Sequence, residues 1–442
     1  MKIQLSDHFN YKKLFKFVAP SIIMMLFTSI YGVVDGFFVS NFVGEEGFAA
    51  VNLIYPVVMC VAAFGFMIGA GGSALVSKTF GENKKELANR YFSMLIYATI
   101  ILGVLLTTIG ILFIDYVISF LKADESISKH VKIYGVTLLV GLTPFMLQSV
   151  FQNFFITAEK PKLGLYVVVG AGVTNMVLDA LLIAVFKWGV FGAALATILS
   201  QSVGGILPLF YFGFKNDSLL RLGKTKFYVG AFFKSCTNGA SELMVNVSMS
   251  LVNILYNFQL MKILGNSGIV AYGFIMYVSF IFAGVFIGYT MGVAPLVGYN
   301  YGAKNSVELK NLFTKSVLVI IIGGAIMFII SQLLAVPLTS LYLGYSEYLY
   351  NISLRAFRIF SLSFLVFGLN IFSSGFFTAL NNGVVSAVIS FLRTLVFQVL
   401  SVIVLPIFFF ADGVWFSALT AEALSLIVTI IFFITLRKKY EY

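Results

Sequence analysis

The stretch VGEEGFAAVNLIYP at residues 43–56 returns, without a gap, as LGNSGIVAYGFIMY at residues 264–277. The displacement is 221 residues, half of the 442-residue chain. The same register pairs Gly71 with Gly292, Leu75 and Val76 with Leu296 and Val297, Gly81 with Gly302, and Phe92 with Phe313. Eleven identities fall between 44–92 and 265–313, where this composition gives about four by chance. Further on, after a slip of three residues, WGVFGAA at 188–194 matches DGVWFSA at 412–418. The chain reads as one unit used twice.

Composition says where the two units sit. Hydrophobic residues make up 60% and charged residues only 11%, against about 45–50% and about 25% in soluble proteins. Length alone suggests about three soluble domains, but so little polar surface cannot cover a water-soluble body. Apolar runs long enough to span a bilayer, about 20 residues, lie near 14–38, 48–77, 91–121, 131–157, 163–186 and 190–213. Six more lie near 230–262, 269–298, 312–342, 349–379, 384–410 and 413–436. They are continuous and do not alternate, which excludes an outer-membrane barrel. The expected fold is all-α and polytopic, with twelve transmembrane helices in two six-helix lobes. The lobes are 1–213 and 229–442, joined by a cytoplasmic linker at 214–228. Six spans per half is an even number, so both halves enter from the same side. This parallel repeat suits a rocking transporter.

The net charge of +11 sits in short clusters between apolar runs and marks inner loops rather than a nucleic-acid surface. With the N-terminus inside, Lys2, Lys12, Lys13, Lys16, Lys78, Lys84, Lys85 and Arg90 all fall on the inner side. The count reaches twenty-one of the 29 lysines and arginines, whereas the outer loops hold few, Lys122 and Lys187 among them. Both termini are therefore expected in the cytoplasm, in a plasma (inner) membrane. No A-x-A site closes a short apolar core after MKIQLSDHFNYKKLFKFVAP, so the first run is expected to be a retained span. Cys60 and Cys236 read as buried filler. His8 and His130 read as loop residues without metal-ligand spacing.

Ionisable residues at membrane depth are costly and point to function. Asp35 lies near the outer end of span 1, with Tyr31 one turn before it. Asp179 lies in span 5, with Asn175 one turn before it, and span 6 adds Thr197 and Gln201. Span 4 contributes Gln148, Gln152 and Asn153. Two carboxylates, an amide and a hydroxyl are hard oxygen ligands of the kind Na⁺ accepts, and desolvation with like-charge proximity also suits a carboxyl to carry H⁺. The plainer reading of the amides and hydroxyls is interhelical hydrogen bonding. In the second half, Glu242 and Asn246 belong to a polar stripe along span 7, Arg393 lies in span 11 and Glu422 in span 12. An unpaired charge is too expensive at this depth, so Arg393 is expected to pair with Glu242 or Glu422, as a clamp or as part of a substrate or proton route. Pro20 inside span 1 removes a helix hydrogen bond and is a site for a kink. No Walker A, Gly-x-Ser-x-Gly or Asp-rich motif is present, so no enzyme and no cofactor beyond a coupling ion is expected.

Four stretches carry a resemblance over nearly the whole chain: VVDGFFVSNFVGEEGFAAVNLIYP at 33–56, SKTFGENKKELANR at 77–90, GYNYGAKNSVELKN at 298–311 and WGVFGAALATILSQ at 188–201. Together they resemble the multidrug and toxic compound extrusion (MATE) transporters. The resemblance implies two six-helix lobes in a V around a central cavity, exporting organic cations against H⁺ or Na⁺. The first lobe looks like the DNA-damage-inducible and archaeal branch. That likeness implies a coupling set of Asp35, Asn175, Asp179 and Thr197, a bending role for Pro20, and Tyr31, Tyr134 and Asn153 as nearby members. Glu242 is reminiscent of span 7 acids in other branches, although it lies close to the cytoplasmic end. The expected partners are an organic cation or amphipathic small molecule and the lipid bilayer, with no nucleic acid, and the chain acting as a monomer. The alternatives are a flippase for lipid-linked saccharides or cell-wall precursors, and a membrane-embedded enzyme.

Overall fold

A computed structural model describes residues 3–121 and 124–442, so Lys2 and Lys122 of the charge pattern lie outside the described residues. The first half runs through α1 (Tyr11–Phe42), α2 (Glu45–Gly81), α3 (Lys85–Leu112), α4 (Ile114–Phe120), α5 (Glu125–Val140), α6 (Leu142–Thr157), α7 (Pro161–Asp179) and α8 (Gly189–Gly213). The second runs through α9 (Val229–Leu264), α10 (Asn266–Gly302), α11 (Ser306–Leu343), α12 (Glu347–Phe360), α13 (Phe364–Ala379), α14 (Gly383–Phe391) and α15 (Phe397–Tyr440).

Ten helical stretches of the described residues are long and apolar enough to cross a membrane, and α5 with α6, bent by 51°, forms an eleventh. The longest stretch, Gly383–Tyr440, has 58 residues, about 85 Å at the helical rise and far more than a hydrocarbon core of about 30 Å. It reverses at Phe410 (φ 49°, ψ −128°). Gly413 then lies so close to the returning chain that a Cβ there would clash with the Leu405 carbonyl. The stretch is a hairpin of two spans, which brings the number to the expected twelve. The protein is an all-α, multi-pass membrane protein.

The repeat is written in the backbone as well as in the side chains. Left-handed residues fall at matching turns: Gly44 with Gly265, Asn83 with Lys304, Glu159 with Asn381, and Lys187 with Phe410. The first two pairs keep the 221-residue register and the others drift by one and two residues, as the sequence match does. Gly44 (φ 88°, ψ 165°) and Gly265 (φ 63°, ψ −150°) occupy backbone that is essentially open to glycine alone. That requirement explains their identity in the quoted stretches.

Where the halves meet, contact faces have been cleared of side chains, as two helix pairs illustrate. On α10, Gly284, Gly288 and Gly292 follow one another at single turns against α1, and a Cβ at Gly288 would lie 2.6 Å from the Ile22 Cα. Between α2 and α9, a Cβ at Gly71 would fall on the Ser235 carbonyl oxygen, and one at Gly239 on that of Met67. Such backbone-to-backbone approach is how membrane helices associate where lipid gives no hydrophobic push. At the end carrying the chain termini, Asn381 Nδ2 also donates to the Ala74 carbonyl across the seam (3.1 Å). That end is closed. Gly71→Leu is expected to wedge it open. Ala74→Cys, placed in a chain lacking Cys60 and Cys236, should then be alkylated several times faster from the terminal side than the same cysteine beside Gly71.

The segment before α1 straps the same end. The Leu5 N–H donates to Glu159 Oε1 (2.7 Å), the Phe9 N–H donates to Glu308 Oε1 (3.0 Å), and His8 Nδ1 lies 2.6 Å from Glu308 Oε2. Leu5 and Phe9 are fully buried. The strap thus ties the turn after α6 in one half to the first turn of α11 in the other. The expectation for His130 is corrected, since it lies within α5 rather than a loop, whereas His8 lies before α1 as expected and meets an acid 300 residues away. Cys60 and Cys236 are half-buried free thiols rather than fully buried filler.

Candidate functional site

The first-half site begins with a glycine. At Gly172 a Cβ would clash with Phe27 Cε1 and meet Tyr31 Cδ1 at 2.9 Å, so α7 comes this close to α1 only because the side chain is missing. Asn175 and Asp179 follow Gly172 by one and two turns on the same face, and Asp35 follows Tyr31 by one turn on α1. The contact therefore carries the two acids and the amide together. The Asp35 carboxyl faces the side chains of both Asp179 and Asn175. Asp179 is fully buried and Asn175 only 2% exposed. The regular helix ends at Asp179 and widens into a π-turn over Ala180–Val185, a feature frequent at functional sites.

The decisive property is what these groups lack. Asp35 Oδ1, Asn175 Oδ1 and both Asp179 carboxylate oxygens are sealed from solvent and receive no hydrogen bond among the described residues. Four unpartnered acceptors share one pocket, in which the Asn175 amide is a neighbouring donor that leaves them unserved. Each such group costs about 1–3 kcal/mol, and two carboxylates at close range resist both being charged. A proton or a small cation supplies what the protein withholds. Among the described residues no cluster of three or more His, Cys, Asp or Glu exists that would hold a transition metal.

The other expected members take varied places. Thr197 spends its hydroxyl on the Ala193 carbonyl of its own helix (3.0 Å). Tyr134 is buried and stands within electrostatic reach of Asp35 and Asp179. Gln148 is buried against Gly204, packing α6 on α8. Gln152, Asn153 and Gln201 are half-buried, and Asn153 donates back to the Ser149 carbonyl (3.1 Å). Helix α1 continues as helix through Pro20. Two residues escaped the sequence reading: Tyr55 on α2 and Tyr277 on α10 join Tyr31 and Tyr134 around the Asp35 charge. Tyr277 belongs to the second half, and its hydroxyl lies 3.5 Å from where a Gly36 Cβ would be. Both lie in the quoted stretches, but the 221-residue register sets Tyr55 against Met276 and Tyr277 against Pro56, so the repeat does not single them out.

The second half answers with the opposite design. Arg393, on a π-turn over Leu392–Val396, donates through Nε to Glu422 Oε1 (2.8 Å) and Oε2 (3.0 Å). Asn370 Nδ2 donates to Glu422 Oε2 (2.7 Å) and to its carbonyl (2.9 Å), and Thr429 donates to Asn370 Oδ1 (3.0 Å). The Phe367 ring lies against the guanidinium, 4.7 Å from its centre. Of the two candidates, Glu422 is the partner, and it is fully supplied with donors. Glu242 stays half-buried on α9 and takes no side-chain hydrogen bond among the described residues, while Asn246 donates to its carbonyl (2.8 Å).

Known proteins of similar sequence and shape agree with this architecture. The family model MatE matches residues 20–181 and then residues 243–404. The Multidrug export protein MepA of Staphylococcus haemolyticus is 27% identical over 323 residues, 72% of this chain and 69% of that protein. The protein of the same name from Staphylococcus saprophyticus is 22% identical over 440 residues, covering 97% and 94%. In fold, the chain superposes on the crystal structure of MATE in complex with MaL6 with a TM-score of 0.92 at 22% identity, over 99% of this chain and 97% of that one. One family match in each half, on a chain that repeats at half its length, accounts for most of the sequence: the protein belongs to the MatE family.

Proposed function

We propose that the chain is a secondary active antiporter that exports organic cations or amphipathic drugs in exchange for H⁺ or Na⁺, by rocker-switch alternating access. The observation that carries this reading is the cluster of Asp35, Asn175 and Asp179, four of whose buried oxygens lack a hydrogen bond, set close to the seam between the halves. MepA, the relative named above, is a multidrug export protein. The lobes 1–213 and 229–442 rock about the linker 214–228, and the charge pattern places both termini in the cytoplasm of a plasma membrane. The closed end is then the cytoplasmic one, and the seam opens outward. Filling the cluster with H⁺ or Na⁺ lowers affinity for a cationic drug, and by reciprocity the drug lowers affinity for the ion. The protein works as a monomer, with each lobe serving as the other's counterpart.

The flippase alternative asks for several basic groups to hold an anionic headgroup, and Arg393, the base at membrane depth, already has Glu422 (2.8 Å). Export in proteoliposomes decides between them. Purified protein is given a fluorescent organic cation, with a pH gradient and a Na⁺ gradient imposed separately. Uphill export following one gradient is the expected result and names the ion. Folded protein that exports under neither gradient refutes the antiport reading.

A further inference from the structure

Where it passes α3, the linker between the halves is pinned rather than slack. Its Arg221 N–H donates to Asn89 Oδ1 (2.7 Å), its Gly223 N–H donates to Ser93 Oγ (3.0 Å), and Tyr97 Oη donates to the Gly223 carbonyl (3.3 Å). Asn89, Ser93 and Tyr97 follow one another by single turns on one face of α3. The Thr225 hydroxyl adds a bond to the Arg90 carbonyl (2.9 Å). A cleft of about 670 Å³ opens beside this junction, between the first turns of α3, the last residue of α8 and the linker. Lys85, Arg90 and Arg221 line it, with Glu86 as its acid. All three bases are exposed, and none forms an ion pair among the described residues. The nearby acids are occupied, Asp217 with Lys160 and Glu82 with Lys78 and Lys84.

Three bases against one acid leave the cleft positive, and its edge is apolar. Gly213, which lines it, ends α8. On one face of that helix end, Leu207, Phe210 and Phe214 are each more than half exposed. In a multi-pass protein such a stripe faces lipid, and aromatic rings at the end of a span lie at headgroup level. A small anion in water uses the bases but not the stripe. A lipid of zero net charge uses the stripe but leaves the bases unbalanced. A lipid with a negative head uses both, as basic pockets beside spans do. We propose that the cleft is a binding site for an anionic phospholipid, with its phosphate among Lys85, Arg90 and Arg221 and its acyl chains along Leu207, Phe210 and Phe214. Because Arg221 belongs to the linker and the other two bases to α3, the headgroup ties the linker to the first half a second time. The site lies apart from the Asp35 cluster and does not depend on the export reading.

The test titrates purified full-length protein in neutral detergent with phosphatidylglycerol or with phosphatidylcholine of the same acyl chains, and counts bound lipids by native mass spectrometry. Wild type is expected to retain phosphatidylglycerol at concentrations where phosphatidylcholine is lost. Each base removed should weaken phosphatidylglycerol by about fivefold, and Lys85→Gln, Arg90→Gln and Arg221→Gln together by about 100-fold, with phosphatidylcholine unchanged. The linker contacts use the backbone of Arg90 and Arg221, so these changes leave them in place. Arg90→Lys with Arg221→Lys, which keeps the charge, should bind within a few fold of wild type and separates lost charge from lost fold. Lys16→Gln, Lys310→Gln and Lys438→Gln together remove as much exposed charge from the same end of the protein and should bind as wild type does. Equal weakening by the two triple variants shows attraction to overall charge and overturns the site, as does wild type that holds both lipids alike. Inorganic phosphate that displaces phosphatidylglycerol at equal concentration makes the cleft a site for a free anion and overturns the lipid assignment.

Discussion

Asparagine at position 35 is expected to abolish gradient-driven export, a loss of about 100-fold or more, the size of a strong coupling between two ligands, while drug binding persists. An antiporter converts an ion gradient into drug movement only if the ion and the drug exclude each other, and here that exclusion depends on a charge that can be cancelled. Asparagine has no such charge. The variant should also be as stable as wild type, or slightly more so. In the wild-type site Asp35 Oδ1, Asn175 Oδ1 and both Asp179 oxygens lack donors, and the asparagine amide brings two N–H groups to acceptors that lack them. It also removes the repulsion between two buried carboxylates. Stability held back in favour of function is expected at working sites. Proteoliposome export measured beside thermal unfolding checks both halves of the statement. Normal export by the variant refutes the coupling role, and a marked drop in its unfolding temperature shows that Asp35 serves the fold instead. Asp179→Asn should behave alike, because the two acids act as one site.

Much of this was legible in the sequence because membranes simplify the code. Twelve apolar runs became twelve spans, and the slip-free match of 43–56 with 264–277 became matched turns at Gly44 and Gly265. Asp35, Asn175 and Asp179 stood out because an acid at that depth is rare, and helical spacing put Asn175 and Asp179 on one face. Three-dimensional choices were not legible. Arg393 had two acids within plausible reach, and nothing along the chain ranks Glu422 above Glu242. The choice depends on how α15 folds back at Phe410 to set Glu422 beside the π-turn. Tyr277 arrives at Asp35 from the other half, so no local spacing could reveal it. The glycines at 284, 288 and 292 look like ordinary membrane small residues until α1 is seen packed on them. The strap from Leu5 to Phe9 left no mark along the chain, since its partners Glu159 and Glu308 are distant in sequence.

The second-half acid should respond in the opposite sense to the first-half pair. Arg393→Met leaves Glu422 charged, 3% exposed and stripped of its cation, and breaking a buried pair in this way costs about 3–5 kcal/mol. For a chain of this size the unfolding midpoint should fall by about 3–5 °C. Glu422→Gln orphans the guanidinium instead and should cost a similar amount, although the amide oxygen it introduces still offers Asn370 an acceptor. Combining Arg393→Met with Glu422→Gln removes both charges together, and the double variant should recover most of the loss, since a buried ion pair adds little over a neutral replacement of similar volume. The recovery is the diagnostic quantity, because it isolates the interaction between the two side chains from their separate packing. Losses that simply add would show that Arg393 and Glu422 stabilise the protein independently, and the clamp would be refuted. With recovery established, the lobes divide their labour on physical grounds. The half whose acids are starved of donors is free to take up an ion. The half whose acid is saturated holds α13, the Arg393 π-turn and α15 together while the two halves rock.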